Sequence, residues 1–302
     1  MHLFPTATGW TALAPAKLNL FFEVLAKRTD GYHEIETLMC PIDLYDTLYF
    51  RETTSGEVEL TCERAVESAG RNERPATPFP QGRENLVFRA VELLRERAAV
   101  TRGAALRLVK RIPTEAGLGG GSSNAAAALC LANRGWGLGW STADLLPLAA
   151  ELGSDVPFFL TGAAAICRGR GERVTPLRRL PSLHFVVVRP PEGLSTATVY
   201  GRCRPADVPA DACPLATALE RGDLAGVGRR LLNRLEPAAE SLCHWIGRLR
   251  REFMQLDLLG HAMSGSGTSY FGLCRHARHA GRIARRLQAY GLGRVFAVRT
   301  CR

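Results

Sequence analysis

The chain has 302 residues, 46% apolar and 23% charged, the balance of a soluble globular protein long enough to bury a core. No stretch reaches the roughly 18–20 apolar residues of a membrane span, and the start, MHLFPTATGW, lacks the basic and apolar segments of a signal peptide, so a cytoplasmic protein with no membrane partner is expected. The net charge of +10 invites a nucleic-acid reading, but it comes from 36 arginines in short, dispersed clusters against three lysines, so no nucleic-acid partner is expected.

Residues 11–25, TALAPAKLNLFFEVL, predict a strand with Leu18, Leu20 and Phe22 on one face and Lys17 and Asn19 on the polar one. A polar turn, AKRTDGYHEIET, comes next, then strands at LYDTLYFRE and GEVELTCE. Residues 63–84 are charged and carry three prolines, the composition of an exposed loop. Leu86, Ala90, Leu93 and Leu94 have helical spacing within 85–99, and AALRLVKRIP alternates as a strand that stops at a proline. The helix STADLLPLAAELG opens on a capping box of Ser141 and Asp144. HFVVVRPP is a strand ended by prolines. Helical segments around 214–256, the run GHAMSGSGTSYFGLC, a helix at 276–290 and the strand GRVFAVRTC complete the chain. Strands and helices alternate in both halves, which predicts a mixed α/β (α+β) fold in two parts, 1–170 and 171–302.

Nine cysteines are scattered without a C-x-x-C pair, which reads as reduced, mostly buried thiols and no metal ligand set. Since arginine supplies positive charge elsewhere, Lys17, Lys27 and Lys110 hint at places that need a compact ammonium rather than a planar fork.

Between the strand at 104–113 and an alanine-rich run lies TEAGLGGGSSNAAAALCLA, with four glycines in five residues. Glycine lets a ligand approach the main chain, and a helix start offers unpaired N–H groups at the positive end of its dipole. With Ser122 or Ser123 capping NAAAALCLA, strand, loop and helix form an anion nest. A slack linker fits poorly, because strong elements flank the glycines directly. No Gly-Lys-Ser/Thr follows, so it is not a Walker A loop, and the dinucleotide fingerprint fails at Ser122, where a third glycine belongs. Composition alone stops at a phosphate loop.

The order Pro113, Gly117-Leu118-Gly119-Gly120-Gly121-Ser122-Ser123-Asn124-Ala125-Ala126 resembles the phosphate loop of the GHMP kinase superfamily. Two further segments, APAKLNLFFEVLAKRTDGYHEIETL at 14–38 and MSGSGTSYFGL at 263–273, fall in the order that superfamily shows. PAKLNL followed by RTDGYHEIETL, with GSDVPFFLTGAA at 153–164, is similar to its members that act on a cytidine diphosphate-linked sugar alcohol. The resemblance spans most of the chain and is weakest at 203–260. It implies a two-domain GHMP kinase fold with ATP and substrate in the interdomain cleft, and a kinase requiring ATP and Mg2+. The expected reaction is phosphorylation of the 2-hydroxyl of 4-diphosphocytidyl-2-C-methyl-D-erythritol in non-mevalonate isoprenoid precursor biosynthesis. A monomer or weak homodimer is expected.

The resemblance also implies roles. Asp155 would be the base that takes the substrate hydroxyl's proton, and Lys17 its electrostatic partner; read alone, they are a turn aspartate and a strand lysine. Residues Pro113, Thr114, Glu115, Ala116, Gly117, Leu118, Gly119, Gly120, Gly121, Ser122 and Ser123 would hold ATP, with Asn85, Leu86 and Lys110 near its adenine, though Asn85 suits a helix cap equally well. Glu115 departs from the small residues common there, and a carboxylate is unfavourable beside a triphosphate unless it points away. Asn19 would meet the substrate, and Tyr32, His33 and Tyr200 its cytosine by stacking and edge hydrogen bonds. Gly265 and Gly267 would bring a second loop to the phosphates. A homoserine or mevalonate kinase is the rival within the fold, but small acids give a stacking tyrosine nothing to grip. A basic nucleic-acid binder sharing the fold is the rival outside catalysis.

Overall fold

The structure, a computed structural model, describes residues 1–65, 80 and 82–301, so most of the loop expected at 63–84 lies outside the described residues. Contacts divide the chain into two compact units that interleave along the sequence. The first holds Met1–Ala16, Leu44–Ile112 and Gly119–Gly162; the second holds Lys17–Asp43, Pro113–Leu118 and Ala163–Arg302. The chain passes from one to the other inside two long strands, β2 (Gly9–Lys27) and β3 (His33–Thr53).

In the first unit, β1 (His2–Thr6), β2, β3, β4 (Val58–Arg64) and β5 (Gly103–Lys110) lie in the order β1-β2-β3-β5-β4. β3 runs antiparallel to β5 with Thr47 opposite Val109, and β4 runs parallel to β5. Helix α1 (Leu86–Arg97) buries Val87, Ala90, Val91 and Leu94, the i, i+3, i+4, i+7 stripe expected of an amphipathic helix. Asn85 caps it by accepting the Val87 amide. Helix α2 (Gly120–Gly135) is buried nearly all round, and its run Ala125–Ala128 is fully enclosed, because alanine lets α1 and α4 (Val156–Thr161) pack close. Helix α3 (Thr142–Leu152) opens on the capping box of Ser141 and Asp144.

In the second unit, β6 (Ala165–Gly169) pairs with β3 and with β7 (Arg173–Pro176), and β9 (Leu232–Asn233) runs parallel to β2. A four-stranded antiparallel sheet has the order β10 (Gly260–Met263), β11 (Tyr270–Cys274), β8 (His184–Arg189), β12 (Arg294–Arg299). Val186, Val188 and Tyr270 of that sheet pack with Leu249 and Phe253 of α9 (His244–Met254) and Ile283 and Leu287 of α10 (Ala277–Ala289). The helical stretch expected at 214–256 resolves into α6 (Cys213–Arg221), α7 (Leu224–Gly228), α8 (Glu236–Leu242) and α9, after α5 (Thr196–Arg202).

Three expectations change. The turn expected at 26–37 shortens, since β3 already begins at His33. The polar face of β2 is not solvated: Lys17 and Asn19 are as buried as their apolar neighbours, so both faces of the strand are covered. Neither Ser122 nor Ser123 caps α2. Gly119 does so from a left-handed conformation, φ +69°, and the helix starts on Gly120. No disulfide joins any of the nine cysteines, and no helix among the described residues is long and apolar enough to cross a membrane.

Candidate active site

The loop expected to hold phosphate leaves β5 at Arg111 and enters α2 at Gly120. Its Ala116, Gly117 and Leu118 carbonyls each accept a hydrogen bond, from Ser269 N, Ser264 Oγ and Lys17 N at 3.1, 2.9 and 3.0 Å. Carbonyl oxygens repel phosphate, and tying three of them to donors removes that repulsion from the loop. Gly117 makes the approach possible. Its φ is +70°, and a Cβ there would lie 2.0 Å from the Ser264 carbonyl oxygen. Glu115 also has a positive φ, 51°, and is exposed, with its side chain laid beside Gly193 in the loop after β8. Ser123, in the first turn of α2, is wholly buried and its Oγ has no hydrogen-bond partner among the described residues. That orphaned oxygen fits a phosphate or a phosphate-bound metal.

Strand β2 supplies the buried Lys17, whose ammonium donates to Asn19 Oδ1. Asn19 Nδ2 donates to Thr37 Oγ1 at 2.8 Å, and Thr37 in turn donates to the Phe21 carbonyl, so the amide's orientation is fixed and its oxygen is kept for the lysine. A Cβ on Gly265 would lie 3.2 Å from Lys17 Nζ. The loop of the third motif therefore closes directly over the lysine. Asn233 holds that loop from below, donating to the Met263 and Gly265 carbonyls at 2.7 and 2.8 Å. Lys17, Asn19, Ala116–Leu118 and Ser264–Gly265 form one contiguous cluster in the second unit.

The nucleobase candidates lie in the same unit. Tyr32, at the tip of the β2–β3 hairpin, is 52% exposed, with the Arg170 guanidinium 4.9 Å from its ring centroid. His33 packs on Tyr200 with ring centroids 5.1 Å apart, and Phe22 meets Tyr200 edge-on. Burial, helped by the Lys27 charge, holds His33 below its ordinary value, so its imidazole is neutral at physiological pH and offers one donor and one acceptor.

In the first unit, Asp155 stands half-buried at the N-cap position of α4, but its side chain makes no cap hydrogen bond, so the plain capping role is removed. Asn85 is engaged as the α1 cap and as donor to the Pro80 carbonyl at 2.9 Å and to Cys62 Sγ at 3.5 Å. Leu86 reaches the start of α2, its Cδ1 3.7 Å from where a Gly121 Cβ would stand. Lys110 is buried and bonded to Asp46 and Asn124. Thr37, Asp46, Arg170, Asn233 and Ser264 were missed as site residues. Of these, only Ser264 carried a local signal, its place between Met263 and Gly265.

Two family models match the chain, GHMP kinases N terminal domain at 85–163 and GHMP kinases C terminal at 215–292. A homoserine kinase from Cytophaga hutchinsonii has the same fold, with a TM-score of 0.74 at 21% identity, over 98% of this chain and 96% of that one. Fold and loops together define a GHMP kinase, a class that uses ATP. A curated relative from Pelotomaculum thermopropionicum is 46% identical over 278 residues, 91% of this chain and 93% of its own, and one from Bacillus cytotoxicus is 37% identical over 95% of each. Both are named 4-diphosphocytidyl-2-C-methyl-D-erythritol kinase. A crystal structure of a 4-(cytidine 5'-diphospho)-2C-methyl-D-erythritol kinase superposes with a TM-score of 0.80 at 38% identity, over 97% of this chain and all of that one. The chain belongs to the 4-diphosphocytidyl-2-C-methyl-D-erythritol kinase family.

Proposed function

We propose that the protein transfers the γ-phosphoryl group of ATP to the 2-hydroxyl of 4-diphosphocytidyl-2-C-methyl-D-erythritol, serving non-mevalonate isoprenoid precursor biosynthesis. The observation that carries this reading is the cluster of Lys17, Asn19 and the two glycine loops: a buried ammonium bonded to an oriented amide, on a residue whose backbone N–H is tied to a loop with its carbonyls neutralised. In the proposed reaction Asp155 takes the proton of the 2-hydroxyl and the oxygen bonds to the γ-phosphorus. The bond to the β-phosphate oxygen breaks and ADP leaves. Lys17 stabilises the negative charge on the attacking oxygen. Residues 113–123 cradle the phosphates, with the α2 N-terminus adding its dipole. Ser123 Oγ would hold a phosphate oxygen or the magnesium, which supplies charge neutralisation on the transferring group. Tyr32, His33 and Tyr200 select the cytosine.

The loop and catalytic residues fall in the 1–170 part of the division proposed for the chain, with 171–302 as its C-terminal part. A cytoplasmic monomer or weak homodimer acting on a small molecule, without nucleic-acid or membrane partners, completes the reading. The test is a coupled ADP-release assay with the cytidyl substrate, homoserine and mevalonate. Turnover with the cytidyl substrate alone is expected, abolished in Asp155→Asn while ATP still binds. Near-normal turnover in that variant removes Asp155 from the base role; preference for homoserine or mevalonate removes the substrate assignment.

A further inference from the structure

Asp46, one residue before Thr47 on β3, is fully buried and carries a charge that no element of the proposed chemistry uses. Its Oδ1 accepts two consecutive amides, Arg111 N at 2.6 Å and Ile112 N at 2.9 Å, where the chain leaves β5 for the phosphate loop. Its Oδ2 accepts from Lys110 Nζ and, at 3.0 Å, from Asn124 Nδ2 in the second turn of α2. Lys110 Nζ closes the ring by donating to Asn124 Oδ1 at 2.9 Å. Both ends of the loop therefore meet on one carboxylate. The packing agrees. A Cβ on Gly120 would lie 2.9 Å from Ile112 Cγ2 and 3.1 Å from Lys110 Nζ, so the first residue of α2 sits directly on the loop's exit.

We propose that Asp46 is the positioning residue of the phosphate loop. Through Lys110, Asn124 and the Arg111 and Ile112 amides it pins the loop's exit from β5 to its entry into α2. Seven residues, 113–119, span the gap, and their geometry follows from where those two ends are held. An anion nest works only when its N–H groups are aimed before the ligand arrives, so loosening either end lowers phosphate affinity without touching a phosphate contact. The burial is otherwise costly. A charged pair taken out of water adds little stability by itself, and in the proposed role it fixes the arrangement of the loop. Lys110 then acts through Asn124 and Asp46.

This inference rests on the assignment of 113–123 to ATP. Asp46→Asn keeps an oxygen for the two amides and removes the charge facing Lys110; Asp46→Ala removes both. Initial rates with ATP and the cytidyl substrate varied in turn, alongside thermal melts, separate the effects. The expected result is a KM for ATP raised about tenfold in Asp46→Asn and about a hundredfold in Asp46→Ala, with the KM for the cytidyl substrate within about twofold of wild type. Should Asp46→Ala fail to fold, Asp46→Asn and Asn124→Ala carry the test, and both are expected to show the same ATP-selective rise. Equal rises in both KM values, or a lowered melting midpoint with an unchanged KM for ATP, assign Asp46 to stability alone and overturn the proposal. Wild-type protein that fails to saturate with ATP defeats the loop assignment itself, and the inference with it, before any variant is made.

Discussion

Replacing Gly117 by alanine adds one methyl group at the point where the phosphate loop meets the third-motif loop. The new Cβ would stand 2.0 Å from Ser264 O, 3.0 Å from Ser264 C and 3.1 Å from Gly267 O, against 3.4 Å for ordinary contact. All three atoms are backbone, so no side chain can swing aside, and the two loops must part by well over an ångström. The φ of +70° adds ~1–2 kcal/mol for a residue with a Cβ, and overpacking adds ~1–3 kcal/mol. The strain has two outlets. If the loops stay in place, the cost falls on stability, ~2–5 kcal/mol in all, a melting midpoint lower by roughly 5–15 °C. If they part, a displacement near 1 Å lowers kcat/KM for ATP on the order of 10²-fold. Melting curves and initial rates on the same preparation read both. Gly281→Ala is the control. It makes the same chemical change inside α10, where nothing lies within 4 Å of the added Cβ, and it should keep full activity and gain ~0.5–1 kcal/mol of stability. Gly117→Ala with wild-type kcat/KM and a midpoint within about 2 °C of wild type would refute the described contact.

Tyr32→Ala should raise the KM for the cytidyl substrate by about 5- to 50-fold, the cost of a lost base–aromatic stack, and leave that for ATP near its original value; equal losses would undo the nucleobase assignment. His33 lies below its usual 6.5 and binds its proton less readily than in the unfolded chain. The KM for the cytidyl substrate should therefore be flat at neutral pH and rise only as pH falls through the lowered native value, whereas the fold begins to lose stability as soon as pH falls below 6.5. A rise of equal size in His33→Asn would assign it to another group. Burial pushes Glu236 above its usual 4.5, so the native state holds that proton more firmly than the unfolded chain does. Its stabilising share is present below 4.5 and fades as pH climbs through the raised value. The melting midpoint of Glu236→Gln should accordingly gain on wild type as pH rises, and a difference independent of pH would contradict that.

Features carried by neighbouring residues were legible in the sequence. The capping box of Ser141 and Asp144, the cap at Asn85 and the strand–loop–helix around the glycines all follow from short spacings, and so does the helix α1, although its buried stripe holds Val87 and Val91 with Ala90 and Leu94 where Leu86 and Leu93 were expected. The start of α2 was misread because serine is the commoner cap, whereas here a left-handed glycine does the work and leaves Ser123 buried inside the helix. Lys17 and Asn19 were visible as a polar pair, but alternation cannot distinguish a polar face in water from one under another layer. Asp46 and Asn233 were invisible. Asp46 meets Lys110 64 residues away, and Asn233 meets Gly265 32 residues away, distances over which no local pattern operates.

The interleaving of the two units has a consequence for the order in which the chain can be made. The second unit takes its residues 17–43 first and its strand β12 far later along the chain. Asp43 waits for Arg299, whose backbone amide it accepts 256 residues later, while Ile42 bridges Thr300 and the Pro41 carbonyl receives the Cys301 amide. At ~5–20 residues per second, a ribosome exposes the middle of β3 for roughly 10–50 s before those partners emerge. Nascent chains of this protein thus carry an unfinished, strongly apolar strand while the residues between those partners are made. Residues 299–301 act as a latch on the middle of β3, and a substitution among them would be felt on that strand first.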